Sequence, residues 1–410
     1  SPLMNKPKGG PEPYDDNPWV VGGGPPWYQR VMKERQLAQE LGTPLDTSLR
    51  STAVQRFDQH LHGRVVGQQG AIDAVLDGFS RLLAGIRDPE RPLLTLLFLG
   101  PTGVGKTETV KALAETVFGD RKAFIRVNCQ EFNNEGTVAK LFGAPPGYVG
   151  ADVEPLLSQN RLDSFHHRAQ EERRGVFADG EGRIAKLFPR EQDDYLSIIC
   201  FDEVEKAHPS VWNALLGLME DGHVTLGNNE IVDCTRSIIV MTTNVGAEAM
   251  SETLQRRTVG FDLGEDAEAM NKDLQSQAVS AAKEHFPYEF FNRFDDVICF
   301  RALHKSDLEA ILDRMLGDLY NRLITAQVPI ILHCSRPFRT MLLDQGYDPQ
   351  FGARPLRRAV ERLLIAPLAR LIASGQINPG QVIAVGLRGG KPRFHIESHK
   401  DDDAGGRLVI

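Results

Sequence analysis

Leu94-Thr95-Leu96-Leu97-Phe98-Leu99-Gly100-Pro101-Thr102-Gly103-Val104-Gly105-Lys106-Thr107 decides the reading of this chain. The first six residues are apolar enough for a buried strand. Three glycines then free the loop for positive φ, and residues 108–118 carry helical periodicity. Strand, glycine loop, helix is the context in which backbone N–H groups converge on a phosphate, aided by the partial positive charge of a helix N-terminus. In it Gly100, Pro101, Thr102, Gly103, Val104 and Gly105 form the cradle, Lys106 reaches the β- and γ-oxygens, and the Thr107 hydroxyl can ligate Mg²⁺. A plain glycine-rich turn needs no Lys-Thr pair at this spacing.

A second apolar run, residues 196–201, ends in Asp202-Glu203. A buried parallel strand would deliver these two carboxylates to the mouth of the same sheet. Asp202 is then placed to hold Mg²⁺, directly or through water, and Glu203 to polarise the water that attacks a γ-phosphate. An exposed acidic pair at a strand end is the plainer alternative.

The net charge of −8 argues against a broad nucleic-acid or anionic-membrane surface, while leaving room for a local basic pore or groove. Cys129, Cys200, Cys234, Cys299 and Cys334 are far apart with no CxxC spacing, and read as small core residues in a reducing compartment. No apolar run approaches the roughly 20 residues that span a bilayer, and residues 1–30 are rich in Pro, Gly and charge rather than signal-like. A cytoplasmic protein with no membrane contact is expected.

Residues 1–30 read as a disordered arm and 31–62 as a helical N-terminal extension. Strands expected at 94–99, 124–127, 196–201, 237–242 and 297–300 alternate with helical stretches. The fold class is α/β, a parallel five-stranded sheet with helices on both faces over residues 63–302. Helices at 306–325, 336–345 and 353–374, then short strands at 382–387 and 393–397, make a smaller α+β domain over 303–398. A flexible tail, 399–410, follows. The polar segment 158–194 reads as a solvated helical extension; its His166-His167 pair has no partner at ligand spacing, so a metal site is disfavoured.

Further phrases join these two: Val65-Val66-Gly67-Gln68, Gly143-Ala144-Pro145-Pro146-Gly147-Tyr148-Val149-Gly150, Asp202-Glu203-Val204-Glu205-Lys206-Ala207-His208-Pro209, Thr242-Thr243-Asn244, Phe291-Asn292-Arg293-Phe294-Asp295 and Gly352-Ala353-Arg354-Pro355-Leu356. Together, over about residues 60–390, they resemble the Clp-type AAA+ unfoldases, specifically the second ATPase module of the two-ring disaggregases. The resemblance implies an AAA+ module with a C-terminal lid, ATP and Mg²⁺ as cofactors, and a hexameric ring acting on polypeptides.

It also implies roles by position. Val65 and Val66 would flank the adenine. Asn244 would sense the γ-phosphate, Arg354 would couple nucleotide state to the lid angle, and Arg293 would be an arginine finger for the neighbouring subunit's ATP. Gly147, Tyr148, Val149 and Gly150 would line the pore, the phenol gripping an extended chain. Val259-Gly260-Phe261 stands where peptidase-coupled members carry a docking tripeptide for a Clp-type peptidase, although an ordinary turn is the alternative.

The chain carries no first ATPase module, coiled-coil middle domain or globular N-terminal domain, so a single ring is expected. Segment 158–194 is longer than its family counterpart and is a candidate adaptor site. A nucleic-acid motor shares the phosphate loop and sensors, but the glycine-flanked tyrosine and the acidic balance disfavour it. A scaffold that binds ATP without turnover would not need Lys106, Glu203, Asn244, Arg293 and Arg354 together.

Overall fold

The structure, a computed structural model, describes residues 49–84, 88–148, 151–175, 195–247, 267–348 and 351–397. The expected arm, tail, docking tripeptide Val259-Gly260-Phe261 and the pore-loop residues Val149 and Gly150 lie outside these, as does 176–194.

The strands are β1 (Leu94–Leu99), β2 (Ile125–Asn128), β3 (Ser197–Asp202), a hairpin of β4 (His223–Thr225) and β5 (Ile231–Asp233), β6 (Ser237–Thr243) and β7 (Asp296–Cys299). The helices interleaved with them are α1 (Thr52–Arg64), α2 (Gln69–Ala84), α3 (Lys106–Phe118), α4 (Glu135–Phe142), α5 (Gln159–Glu171), α6 (Pro209–Asp221), α7 (Ala267–His285) and α8 (Tyr288–Phe291). Five strands form one parallel sheet in the order β2-β3-β6-β1-β7. All therefore end at one edge, where the chain leaves as Gly100, Asp202-Glu203 and Asn244.

Both faces of the sheet are covered, which is why its strands read as unbroken apolar runs. Leu96, Phe98, Ile198, Cys200, Ile238 and Val240 point into one core with Phe57 and Leu61 of α1, Phe79 and Phe118. Their neighbours Leu97, Leu99, Ile199, Phe201, Ile239 and Met241 point into the other, with Leu215, Met219 and Phe290. The alternation is the strand period of two. The buried hydroxyls in these strands are satisfied in place: Thr95 donates to Asp295 at 2.8 Å, and Ser197 pairs with Ser237 at 2.7 Å.

The smaller α+β part contains α9 (Lys305–Ile324), β8 (Ile331–Cys334), α10 (Arg336–Gly346), α11 (Arg354–Val360), α12 (Ala366–Ala373), β9 (Val382–Arg388) and β10 (Lys391–Ile396). Its sheet runs β10-β9-β8. The single helix expected over 353–374 is divided by a π-turn at Glu361–Ile365. Pro367, which has no N–H and whose ring would meet the Leu363 carbonyl in a regular helix, stands just beyond it.

Of segment 158–194, residues 158–175 are described. α5 is not a solvated extension: Leu162 and Ala169 are buried, and Phe165 packs against both cores. His166 accepts the Leu196 N–H at Nδ1, 2.8 Å away. Burial, with a contribution from His167, pulls its pKa down to about 4, so this histidine is a neutral acceptor at the sheet edge.

Candidate functional site

Gly100, Gly103 and Gly105 all hold positive φ, at +144°, +74° and +117°. A Cβ on Gly100 would lie 2.5 Å from the Phe300 carbonyl, and one on Gly103 2.5 Å from the Phe351 carbonyl. The loop is thus wedged between the β7 exit and the smaller part, and only glycine fits. Lys106 begins α3 and is 8% exposed. Its Nζ donates to the Gly100 carbonyl, to Pro101 O at 2.7 Å and to Asn244 Oδ1 at 2.9 Å. Burial brings its pKa down to about 8, opposed by the charges of Glu205, Asp202 and Glu203 and reinforced by Arg354.

At the end of β3, Asp202 accepts the Thr242 hydroxyl at 2.6 Å and an N–H of Arg126. Glu203 is held in the left-handed region, φ +56°, a conformation uncommon for a residue with a Cβ. Its N–H donates to Thr242 Oγ1 at 3.1 Å, while its carboxylate accepts from Asn244 Nδ2 at 3.3 Å and from Gln130. Asn244 therefore bridges the ammonium and the second carboxylate. Beneath it, Glu205 accepts the Asn244 N–H at 3.2 Å.

Lys106, Asp202, Glu203, Thr242, Asn244 and Gln130 line one cleft of about 720 Å³, within the size range of small-molecule sites. Its apolar end is made by Val65, Val66, Leu303, Ile311 and Met315, and Thr107 and Arg354 also line it. Gln68 ties this end to the loop, donating to Val104 O at 3.1 Å and Arg301 O at 2.9 Å while accepting the Arg301 N–H at 3.0 Å. Arg301 in turn grips Asp307 of α9 through two hydrogen bonds of 2.7 and 3.0 Å. Burial alone would raise the Asp307 carboxyl, yet Arg301 and the His304 N–H hold it below the usual carboxylate range.

The donor set fits a nucleoside triphosphate with a divalent cation. A buried ammonium, glycine N–H groups, a threonine hydroxyl and a carboxylate stand at one end, and a slot of branched side chains at the other.

Among the described residues, the expected Gly147, Tyr148 and Arg293 lie away from the cleft, and Gly100 and Pro101 do not line it but give their carbonyls to Lys106 Nζ. Arg293 does not line the cleft; it pairs with Glu220 at 2.8 Å near the end of α6. Tyr148 is 72% exposed on a turn, its N–H donating to Pro145 O at 3.2 Å. Gln130, Ile311 and Met315 stand in none of the sequence phrases that mark the site, and Thr242 and Glu205, which do, carry no expected role there. Ile311 and Met315 share a face of α9 with Leu308 and Leu312, a helical spacing that marks the face but not what it covers.

The fold and cleft define a P-loop ATPase module with a C-terminal lid. The profile described as "AAA domain (Cdc48 subfamily)" matches residues 91–165 and 176–297, and that of the "C-terminal, D2-small domain, of ClpB protein" matches 303–385. The chain belongs to the Clp-type AAA+ ATPases and resembles their second module. It is 35% identical over 389 residues to chaperone protein ClpD, chloroplastic, of Arabidopsis thaliana, covering 92% of this chain and 36% of that protein. It is 37% identical over 358 residues to the ATP-dependent Clp protease ATP-binding subunit ClpC of Staphylococcus aureus, covering 87% and 39%. Among solved structures, a Saccharomyces cerevisiae Hsp104:casein complex in an extended conformation matches with a TM-score of 0.66 at 28% identity, over 88% of this chain and 56% of that one. The chain thus spans little more than a third of the length of these curated relatives.

Proposed function

We propose that this chain hydrolyses ATP and uses the energy to unfold or remodel polypeptides drawn through the pore of a hexameric ring. The observation that carries the reading is the division of its parts. Lys106, Asp202, Glu203, Asn244 and Arg354 line one cleft, while Arg293 and the exposed Tyr148 lie outside it. A nucleotide site complete within one subunit would give neither outlying residue a part in its chemistry.

In this reading Val65, Val66, Ile311 and Met315 hold the base, the Gly100–Gly105 backbone and Lys106 hold the phosphates, and Thr107 and Asp202 would hold Mg²⁺. The cation, when bound, neutralises charge on the phosphate oxygens. Glu203, oriented by Asn244 and Gln130, takes the proton of the attacking water. Arg354, on the lid and in the cleft, relates nucleotide state to lid angle, and Arg293 completes a neighbour's site. Gly147, Tyr148, Val149 and Gly150 contact the substrate chain.

The module runs over 63–302 with the packed helix before it, and its lid over 303–398. Five free cysteines favour a reducing compartment such as the cytoplasm. Segment 158–194 is proposed as a recruitment surface for an adaptor. Similarity to a protease ATP-binding subunit supports a second reading, in which Val259-Gly260-Phe261 docks the ring on a Clp-type peptidase.

The experiment is Tyr148→Ala beside Glu203→Gln. The first should hydrolyse ATP but release its hold on polypeptide; the second should bind ATP and arrest. Unimpaired polypeptide remodelling by Tyr148→Ala would overturn the reading.

A further inference from the structure

The turn bearing Tyr148 is strapped at its stems. Leu156 and Leu157 donate their N–H groups to the Lys140 and Leu141 carbonyls at 3.1 and 3.2 Å, zipping the neck closed. On the return limb, Glu154 accepts the Ser158 hydroxyl at 2.5 Å and pairs with Arg161 at 3.6 Å. The neck is also fastened to a separate element, the β4–β5 hairpin.

At the hairpin tip, Gly227 donates its N–H to the Phe142 carbonyl at 2.8 Å. The two backbones approach so closely that a Cβ on Gly227 would lie 2.4 Å from the Gly143 carbonyl oxygen. At the other end of β5, the Gln159 amide serves as a surrogate strand partner: Asp233 donates its N–H to Gln159 Oε1 at 2.9 Å, and Gln159 Nε2 reaches Asp233 O at 3.5 Å. Between these points Val224, Leu226 and Val232 are buried in the same core as Leu141 and Leu157. The hairpin runs directly into β6, in the middle of the sheet.

We propose that the β4–β5 hairpin is a positioning element for Tyr148, making the stems of its turn a rigid outgrowth of the sheet. The argument rests on the functional reading above. It deepens that reading: the phenol is displaced by rotation of the whole large part rather than by independent swinging of its turn, so that force on a held chain reaches the sheet through hydrogen-bonded backbone. Gly227 and Gln159 are positioning residues, since neither lines the nucleotide cleft.

The test uses the full chain with Gln159→Ala, which removes the surrogate pairing together with the amide's 3.0 Å bond to Asp163 within α5, and Gly227→Val, which forces the tip off the Gly143 carbonyl. Basal phosphate release should stay within about twofold, while ATP-dependent binding of fluorescein-labelled casein weakens about tenfold. Amide hydrogen exchange at Leu156, Leu157, Gly227 and Asp233 should accelerate together in both variants. Unchanged casein binding despite lost protection, or amides that lose protection independently, would overturn the proposal. Tyr148→Ala is run beside them. If it binds casein normally, the grip assigned to the phenol is wrong while the exchange data still decide the strap; if it alone loses casein, the grip stands and the strap falls.

Discussion

Ala353 of the lid donates its backbone N–H to the carbonyl of Gly103 in the phosphate loop, 3.0 Å away. Gly352 makes the approach intimate: at φ +57°, a Cβ there would lie 2.6 Å from the same Gly103 oxygen. Next in sequence is Arg354, which lines the cleft. Loop and lid thus touch backbone to backbone, and a change in lid angle cannot leave the loop undisturbed.

Gly352→Ala tests that contact. A left-handed residue with a Cβ costs about 1–2 kcal/mol before the overlap is counted. We expect labelled ADP to bind roughly tenfold more weakly in equilibrium titration. Unchanged affinity would show that the contact does not transmit to the phosphate site.

Glu203→Gln and Arg293→Ala should separate chemistry within a subunit from chemistry between subunits. The glutamine variant keeps the Asn244 and Gln130 side chains as neighbours but cannot accept a proton, so turnover should fall by about 10²-fold or more with binding retained. Arg293→Ala, outside its own cleft, should leave binding intact and lower assembled turnover by about 10³-fold. Phosphate release from mixtures of the two variants is the measurement. Recovery of activity on mixing would support a finger acting in trans.

The lowered pKa of Lys106, about 8, sets a pH dependence. Its folded value lies below the ordinary 10.5, so burying the charge weakens the unliganded protein fully below pH 8, and that penalty is relieved as pH rises toward 10.5. Phosphate affinity runs the other way, because the ammonium is lost above pH 8. Nucleotide binding measured from pH 7 to 9.5 should weaken through that range, and Lys106→Arg should flatten the profile. A flat wild-type profile would contradict the assignment.

His166 predicts acid sensitivity distant from the cleft. Its folded pKa, about 4, lies below the ordinary 6.5, so its neutral form contributes stability in full above pH 6.5, and this is lost as pH falls toward 4. Urea midpoints should fall between pH 7 and 5, and His166→Asn, which retains an acceptor for the Leu196 N–H, should shed part of that slope.

Much of the cleft was legible because its parts are contiguous in sequence. The Gly100–Thr107 loop and Asp202-Glu203 each follow an apolar run, so strand ends could be located and the shared sheet edge inferred. Gln130 carried no such mark and is an ordinary polar residue until β2 and β3 lie side by side; Thr242 stands in a marked phrase, but its bond to Asp202 exists only once β3 and β6 are paired. The β4–β5 hairpin escaped notice because its strands are three residues long, too short to display a period. α5 read as solvated because its mean polarity concealed the positions that dock it, Leu162, Phe165 and Ala169.

What the sequence by itself determined was the candidate site's inventory, since a glycine loop and a carboxylate at a strand end are built from neighbouring residues whose spacing is set by local geometry. Only the tertiary structure decided which side chains orient them and which stand apart. It joined Asn244 to Lys106 and Glu203, left Arg293 outside the cleft, and fastened the Tyr148 turn to a hairpin some eighty residues onward. Those relations depend on contacts whose partners are brought together only when the sheet and its two cores form, and no local spacing encodes them.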